Sequence, residues 1–271
     1  MARERKIYTT SWWTLVLLII SAVAGAGYVL YAARGEAIIH DDIDAMLKRL
    51  DDSSYQKVTL PQSSRPLYIP SLSAFQSDGN WVYVAKSQPL PSTFAPRGLD
   101  PIELPFSSTD SQPLLRTHVV TQLKKLFAHA QTENYNLIVS SAYRSIDDQK
   151  KMYDDFVSKK GATLAKQYVA DPGSSEHHTG LAVDINDDSS SCRSDSEKCS
   201  LSWTSAAWIA DNAPTYGFII RYPAGAQPIT GIAYEPWHLR YVGVVLAQQL
   251  SASDLTYDEF IEQIAPGRLG R

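Results

Sequence analysis

Leu115, Val119, Leu123, Leu126, Phe127 and Ala130 recur at helical spacing with polar residues between them. That pattern predicts an amphipathic helix with one face toward a core. Leu137-Ile138-Val139 follows as a short apolar run that reads as a strand. Charged and polar positions then dominate residues 147–159, a second helix, and residues 205–216 give a third. Two further stretches switch to a period of two. Leu181, Val183 and Ile185 alternate with Ala182 and Asp184, and Trp237, Leu239 and Tyr241 alternate with His238, Arg240 and Val242. Such alternation predicts strands whose successive side chains face opposite sides. A last short helix is predicted over 257–264. Helices followed by sheet make the fold class α+β.

The first residues follow neither period. No charged residue occurs from 7 to 33, and residues 12–33 are predominantly apolar. At about 1.5 Å per residue a helix of that length spans the ~30 Å hydrocarbon core, which predicts a transmembrane anchor. Arg3, Arg5 and Lys6 against Glu4 precede it, and Glu36, Asp41 and Asp42 follow it. The positive-inside rule then puts residues 1–11 in the cytoplasm and everything after the anchor outside the cell. A cleaved signal peptide with Ala24-Gly25-Ala26 at its cleavage site is the rival reading, although its apolar region would run only about 7–15 residues. Both readings export the rest of the chain. Residues 34–80, where Ser and Pro accumulate, read as a stalk, residues 81–250 as the folded domain and 251–271 as a tail.

Composition changes this picture little. Of 271 residues, 44% are hydrophobic and 20% charged, as in an ordinary globular protein. A net charge of −4 supplies no basic footprint for nucleic acid. The two cysteines, Cys192 and Cys199, share one polar loop. In an oxidising compartment they are expected to close a short disulfide. Free thiols or metal binding are the other options, but two thiols without motif histidines nearby make a poor zinc set.

The chemistry concentrates in Ser175-Glu176-His177-His178-Thr179-Gly180 through Asp184 and in Glu235-Pro236-Trp237-His238. His177, Asp184 and His238 are two imidazoles and a carboxylate for one metal ion, with Glu235 as a spare carboxylate. Three protein ligands with a fourth position left for water define a catalytic zinc site. An extended chain would separate His177 from Asp184 by roughly 20 Å, so the backbone must fold back, and Gly180 permits the bend. Glu235 and His238 would face opposite sides of a regular strand. Pro236 predicts a break there that lets Glu235 turn toward the same ion. Such a set also suits non-haem iron oxygenases, which need no adjacent Glu and use another His-to-Asp spacing. His178 points away from the ion on any extended backbone, and His40, His118 and His129 lie outside the motifs.

These motifs resemble Ser-x-His-x-x-Gly-x-Ala-x-Asp and Glu-x-Trp-His of the VanY-type zinc carboxypeptidases, which trim peptidoglycan stem peptides. Ser141-Ala142-Tyr143-Arg144-Ser145 with Gln149, Asp171-Pro172-Gly173 and Gly217-Phe218-Ile219-Ile220-Arg221-Tyr222-Pro223 agree in order. Val84-Ala85-Lys86 through Pro89-Leu90-Pro91 looks like that family's leading strand and loop, and the resemblance runs over about 81–250. It implies one zinc-peptidase domain with a central antiparallel sheet flanked by helices. It also implies zinc on His177, Asp184 and His238, Glu235 as general base and acid, and Arg144 steadying the scissile carbonyl oxygen. Ser175 and Gln149 fall where the family contacts substrate, and Trp237 is expected to wall the pocket. Ala142 stands where the family usually has glycine, and the loop over 187–200 looks longer and more polar.

The expected function is removal of the terminal D-alanine from stem peptides by an enzyme held at the cytoplasmic membrane. An L,D-carboxypeptidase acting on tetrapeptide stems is the nearest alternative. A non-catalytic peptidoglycan-binding module is a third, against which the full set of ligands and base speaks.

Overall fold

The computed structural model describes residues 18–22, 27–31, 55–59, 66–70, 79–107, 112–188 and 201–265. Where a membrane-spanning helix was expected over 12–33, the described stretches are strands β1 (Leu18–Ala22) and β2 (Gly27–Tyr31), paired antiparallel. β-branched Ile19, Ile20 and Val29 with Tyr28 and Tyr31 favour extended backbone. Among the described residues no helix is long and apolar enough to cross a membrane. This hairpin belongs to a separate unit, Met1–Ser54. Strands β3 (Tyr55–Thr59) and β4 (Pro66–Pro70) pair within the stretch expected to be a stalk.

A two-stranded ribbon, β5 (Leu99–Pro101) with β6 (Leu114–Arg116), leads into helix α1 (Thr117–Thr132). Val119, Val120, Leu123, Leu126, Phe127 and Ala130 form its buried stripe. Each large aliphatic buried this way contributes about 1.5–3 kcal/mol. Strand β7 (Leu137–Ser141) precedes α2 (Ile146–Lys160), whose Ser145 hydroxyl caps the Asp148 amide at 3.0 Å. Asp147 and Asp148 in its first turn and Lys159 and Lys160 in its last complement the helix dipole. A short α3 (Ala162–Tyr168) follows, then β8 (Ala182–Asp187). The helix expected over 205–216 divides into α4 (Trp203–Asn212) and a 3₁₀ turn, Ala213–Tyr216. Pro214 removes an amide at that junction, which ends the α-helical ladder. β9 (Phe218–Tyr222), the single turn α5 (Gln227–Thr230), β10 (Glu235–Tyr241), α6 (Val244–Ser253) and α7 (Tyr257–Ile264) complete the described chain.

The central sheet has the order β7-β8-β10-β9, antiparallel throughout. One apolar cluster joins Val139, Val183, Ile185, Phe218, Leu239 and Tyr241 to α1 and α4. A second joins Ile219 and Val242 to α6 and α7 through Leu246, Leu250, Phe260 and Ile261. Helix α7 was expected to lie in a separate tail. Instead it carries a capping box between Thr256 and Glu259 and packs into this second cluster, so the folded domain continues past residue 250. The leading strand and loop expected over 84–91 are a single Ala85–Gln88 bridge followed by a loop, where Pro89 and Pro91 lack the amides a ladder needs. Leu90 instead donates its amide to the Gly173 carbonyl at 2.8 Å.

Candidate metal centre

Register builds the site. On β8, Asp184 pairs with His238 of β10 on one side and with Ser141 of β7 on the other. Two ladders of the sheet shift register near this point, β7–β8 between Val139 and Ser141 and β9–β10 between Glu235 and Leu239. The second irregularity is the break expected at Pro236, and it leaves Glu235 opposite Tyr222. His177 comes from a 3₁₀ turn, Glu176–Thr179, in which its own amide donates to the capping Ser175 hydroxyl. Gly180 ends that turn at φ +66°, and a Cβ there would stand 2.8 Å from Leu99 Cδ2. Glycine therefore makes the reversal that carries His177 back over Asp184.

The donor atoms of His177, Asp184 and His238 all lie within 4.8 Å of one another. His177 Nε2 is 3.3 Å from Asp184 Oδ2, and His238 Nδ1 is 2.9 Å from Asp184 Oδ1. Four-coordinate zinc with ligands at about 2.0–2.2 Å places neighbouring donors roughly 3.3–3.6 Å apart, so the set fits the ion. Outer hydrogen bonds orient both rings. His177 Nδ1 donates to the Ala142 carbonyl at 2.7 Å, turning Nε2 inward. His238 Nε2 faces Glu176 Oε2 at 3.4 Å, turning Nδ1 inward. Imidazole ligands held in this way have a fixed tautomer and raised basicity.

Electrostatics match a cation site. Burial alone would raise the Asp184 carboxyl, but His177 and His238 hold it well below the usual carboxylate range. Burial also works to lower His238, but its hydrogen bonds to Asp184 and Glu176 overcome this and push it from 6.5 up to about 9. In metal-free protein the His238 imidazolium therefore stabilises the fold fully below about pH 6.5, and that contribution disappears as pH rises through about 9. The melting temperature of chelated protein is expected to fall across this window. Zinc-loaded protein, in which His238 is an unprotonated ligand, is expected to stay level over the same range. Parallel melting curves for the two forms across pH 6–9.5 test this, and an equal decline in both overturns it.

The remaining sequence candidates fall into two groups. Arg144, half-buried, donates to Gln149 Oε1 at 2.8 Å and to Ser141 Oγ at 2.9 Å, and its backbone amide bonds the His177 carbonyl. Burial draws its pKa down while Asp184 holds it up. Its hydrogen-bond partners among the described residues are neutral, unlike those of a structural ion pair. Gln149, expected to touch substrate, is 0% exposed and also donates to the Ala170 carbonyl at 2.8 Å. It therefore braces the guanidinium from behind. Ser175 is buried and caps the His177 turn, while Trp237 is half-buried against the first apolar cluster. His178 stays out of the ligand set. Its Nδ1 donates to the Arg144 carbonyl at 2.7 Å and its Nε2 accepts from the Gly173 amide at 3.1 Å, which fixes it as neutral imidazole. Cys192 and Cys199 lie outside the described residues.

Glu176, Arg221, Arg240 and Tyr222 stand in the motifs and strands read from the sequence, where they carried no assigned role. A charge inside an apolar strand, as in Phe218-Ile219-Ile220-Arg221 and Trp237-His238-Leu239-Arg240, was the available signal, since such residues are seldom fully buried unless paired. Tyr222 packs its ring 5.1 Å from that of His238.

A histidine on a 3₁₀ turn and an aspartate and a histidine on neighbouring strands, with a further carboxylate on the strand of the third ligand, make the donor set of a mononuclear zinc peptidase. Residues 112–244 match the D-alanyl-D-alanine carboxypeptidase family VanY. The putative carboxypeptidase YodJ of Bacillus subtilis strain 168 is 42% identical over 186 residues, 67% of this chain and 66% of that protein. The bifunctional D-Ala-D-Ala dipeptidase and carboxypeptidase VanXYC of Enterococcus gallinarum is 33% identical over 187 residues, 67% of this chain and 93% of the relative. Among solved structures, the LD-carboxypeptidase LdcB superposes with a TM-score of 0.61 at 40% identity, over 69% of this chain and 87% of that one. A D,D-pentapeptidase VanY in complex with Zn(II) gives 0.53 at 28% identity, over 66% and 97%. The chain belongs to the VanY family, and its metal cofactor is zinc.

Proposed function

We propose that this protein is a zinc D-alanyl-D-alanine carboxypeptidase that removes the C-terminal D-alanine from peptidoglycan stem peptides. The observation that carries the reading is the convergence of His177, Asp184 and His238, with Glu235 on the strand of His238 and the Arg144 amide bonded to the His177 carbonyl. When bound, zinc supplies a Lewis acid that polarises the scissile carbonyl. Glu235 takes the proton of the attacking water and returns it to the leaving amine. Arg144 offers planar N–H donors to the oxygen on which negative charge grows, or to the terminal carboxylate of the substrate. Gln149 and Ser141 already hold that guanidinium, so little side-chain freedom remains to be lost when substrate arrives.

The L,D alternative is favoured by the likeness to solved LD-carboxypeptidases, LdcB at 40% identity among them. The D,D reading draws on the family match and on VanXYC. Digestion of pentapeptide and tetrapeptide stems followed by mass spectrometry separates them. Loss of one D-alanine from the pentapeptide is expected. Tetrapeptide cleavage with the pentapeptide untouched moves the assignment to L,D, and inertness of folded, zinc-loaded protein toward both ends the carboxypeptidase reading.

The site of action proposed is the outer face of the cytoplasmic membrane. Its support is the uncharged stretch 7–33 with its positive N-terminal flank, together with a substrate class that lies outside the cell.

A further inference from the structure

Beneath the metal ligands lies a line of buried charge that the proposed mechanism does not use. Glu176, 2% exposed, accepts from Arg221 Nε at 2.9 Å and from Arg240 at 2.8 Å through Oε1, and faces His238 Nε2 through Oε2. Arg221 also grips both oxygens of Asp258, one of them at 3.3 Å. Tyr83 donates its hydroxyl to Asp258 at 2.7 Å. Arg240 spends its remaining donors on the Val82, Asn80 and Tyr241 carbonyls. Two carboxylates thus balance two guanidiniums, all four buried. Asp258 stands on α7, beyond the 112–244 stretch that the family match covers.

We propose that Asp258 is a positioning residue of the metal centre, acting through Arg221 and Glu176 to hold the His238 ring with Nδ1 toward the ion. Arg221 is shared between Glu176 and Asp258. If Asp258 loses its charge, both guanidiniums are left with Glu176 as their single anion. The carboxylate then settles onto the arginines, and its outer oxygen, already 3.4 Å from His238, gives up the imidazole. A histidine ligand released from its outer partner binds metal less tightly, typically by 10–100-fold. Helix α7 is then part of the metal centre as well as of the core. The inference rests on zinc binding by His177, Asp184 and His238 and not on the substrate. Failure of the protein to cleave stem peptides therefore leaves it standing.

Asp258→Asn in the full chain tests it, because the amide is nearly isosteric and still accepts from Tyr83 and Arg221. Zinc affinity, measured by competition with a chromogenic chelator, is expected to weaken about tenfold. In zinc-loaded protein the His238 ring N–H proton is expected to be slowly exchanging in the native chain and faster in the variant. A purely structural role would lower the melting temperature and leave both readouts alone. Should Asp258→Asn not fold, Arg221→Lys takes its place, since an ammonium keeps the charge but cannot bridge both carboxylates as the planar fork does. In whichever variant folds, a zinc affinity within twofold of the native chain and an unchanged ring-proton exchange rate overturn the proposal.

Discussion

Glu235→Gln is expected to keep its zinc and its fold and to lose at least a hundredfold in kcat. The amide matches the carboxylate in size, and Glu235 is not among the three donors that surround the ion. It opens β10 opposite Tyr222, at an irregular place in the ladder. What the amide cannot do is accept a proton from water and pass it to a leaving amine. General acid–base assistance of this kind is worth about 10²–10⁴ in rate. Steady-state kinetics on a stem pentapeptide, run beside metal analysis and a melting curve, measure the loss. A variant within threefold of the native rate removes Glu235 from the mechanism.

His238→Ala is expected to abolish zinc binding and activity together. Two ligands remain, and three is the number on which catalytic zinc sites are built. The ring also meets Asp184, Glu176, Tyr222 and His177, so its removal leaves a hole between them. The fold is expected to survive, because Glu176 keeps Arg221 and Arg240 and is not stranded as an unpaired charge. Metal content per folded molecule is the direct measurement. Retention of a full equivalent of zinc by this variant, or full activity of native protein after exhaustive chelation, overturns the assignment of His238 as a ligand.

How far the sequence disclosed these features follows from which signals are local. Alternation around Asp184 and His238 gave β8 and β10, and the bend at Gly180 and the break at Pro236 were legible because each rests on one residue's backbone chemistry. Motif position reveals that the polar side chain of Gln149 matters, but not that it faces Arg144 and the Ala170 carbonyl. Glu176 sat unread between two recognised residues, since its partners Arg221 and Arg240 lie far along the chain. Helix α7 was found but not placed, because its apolar stripe names no neighbour. For residues 12–33, length and hydropathy suit a membrane helix while the β-branched and aromatic content suits strands. Those two local tendencies compete, and the described residues there adopt the second.

The neutral ring of His178 has a consequence for anyone comparing or exchanging loops among these enzymes. Leu90 hangs on Gly173, Gly173 on His178, and His178 on the carbonyl of Arg144. Gly173 sits at φ +90°, with the Leu90 carbonyl 3.1 Å from where a Cβ would stand, so this junction admits neither a larger residue nor much slack. The loop around Pro89-Leu90-Pro91 is thus fastened, through one imidazole, to the backbone of the residue that presents the guanidinium. A transplanted loop of different length would arrive with its own tension on that fastening and would re-aim Arg144 without touching its side chain.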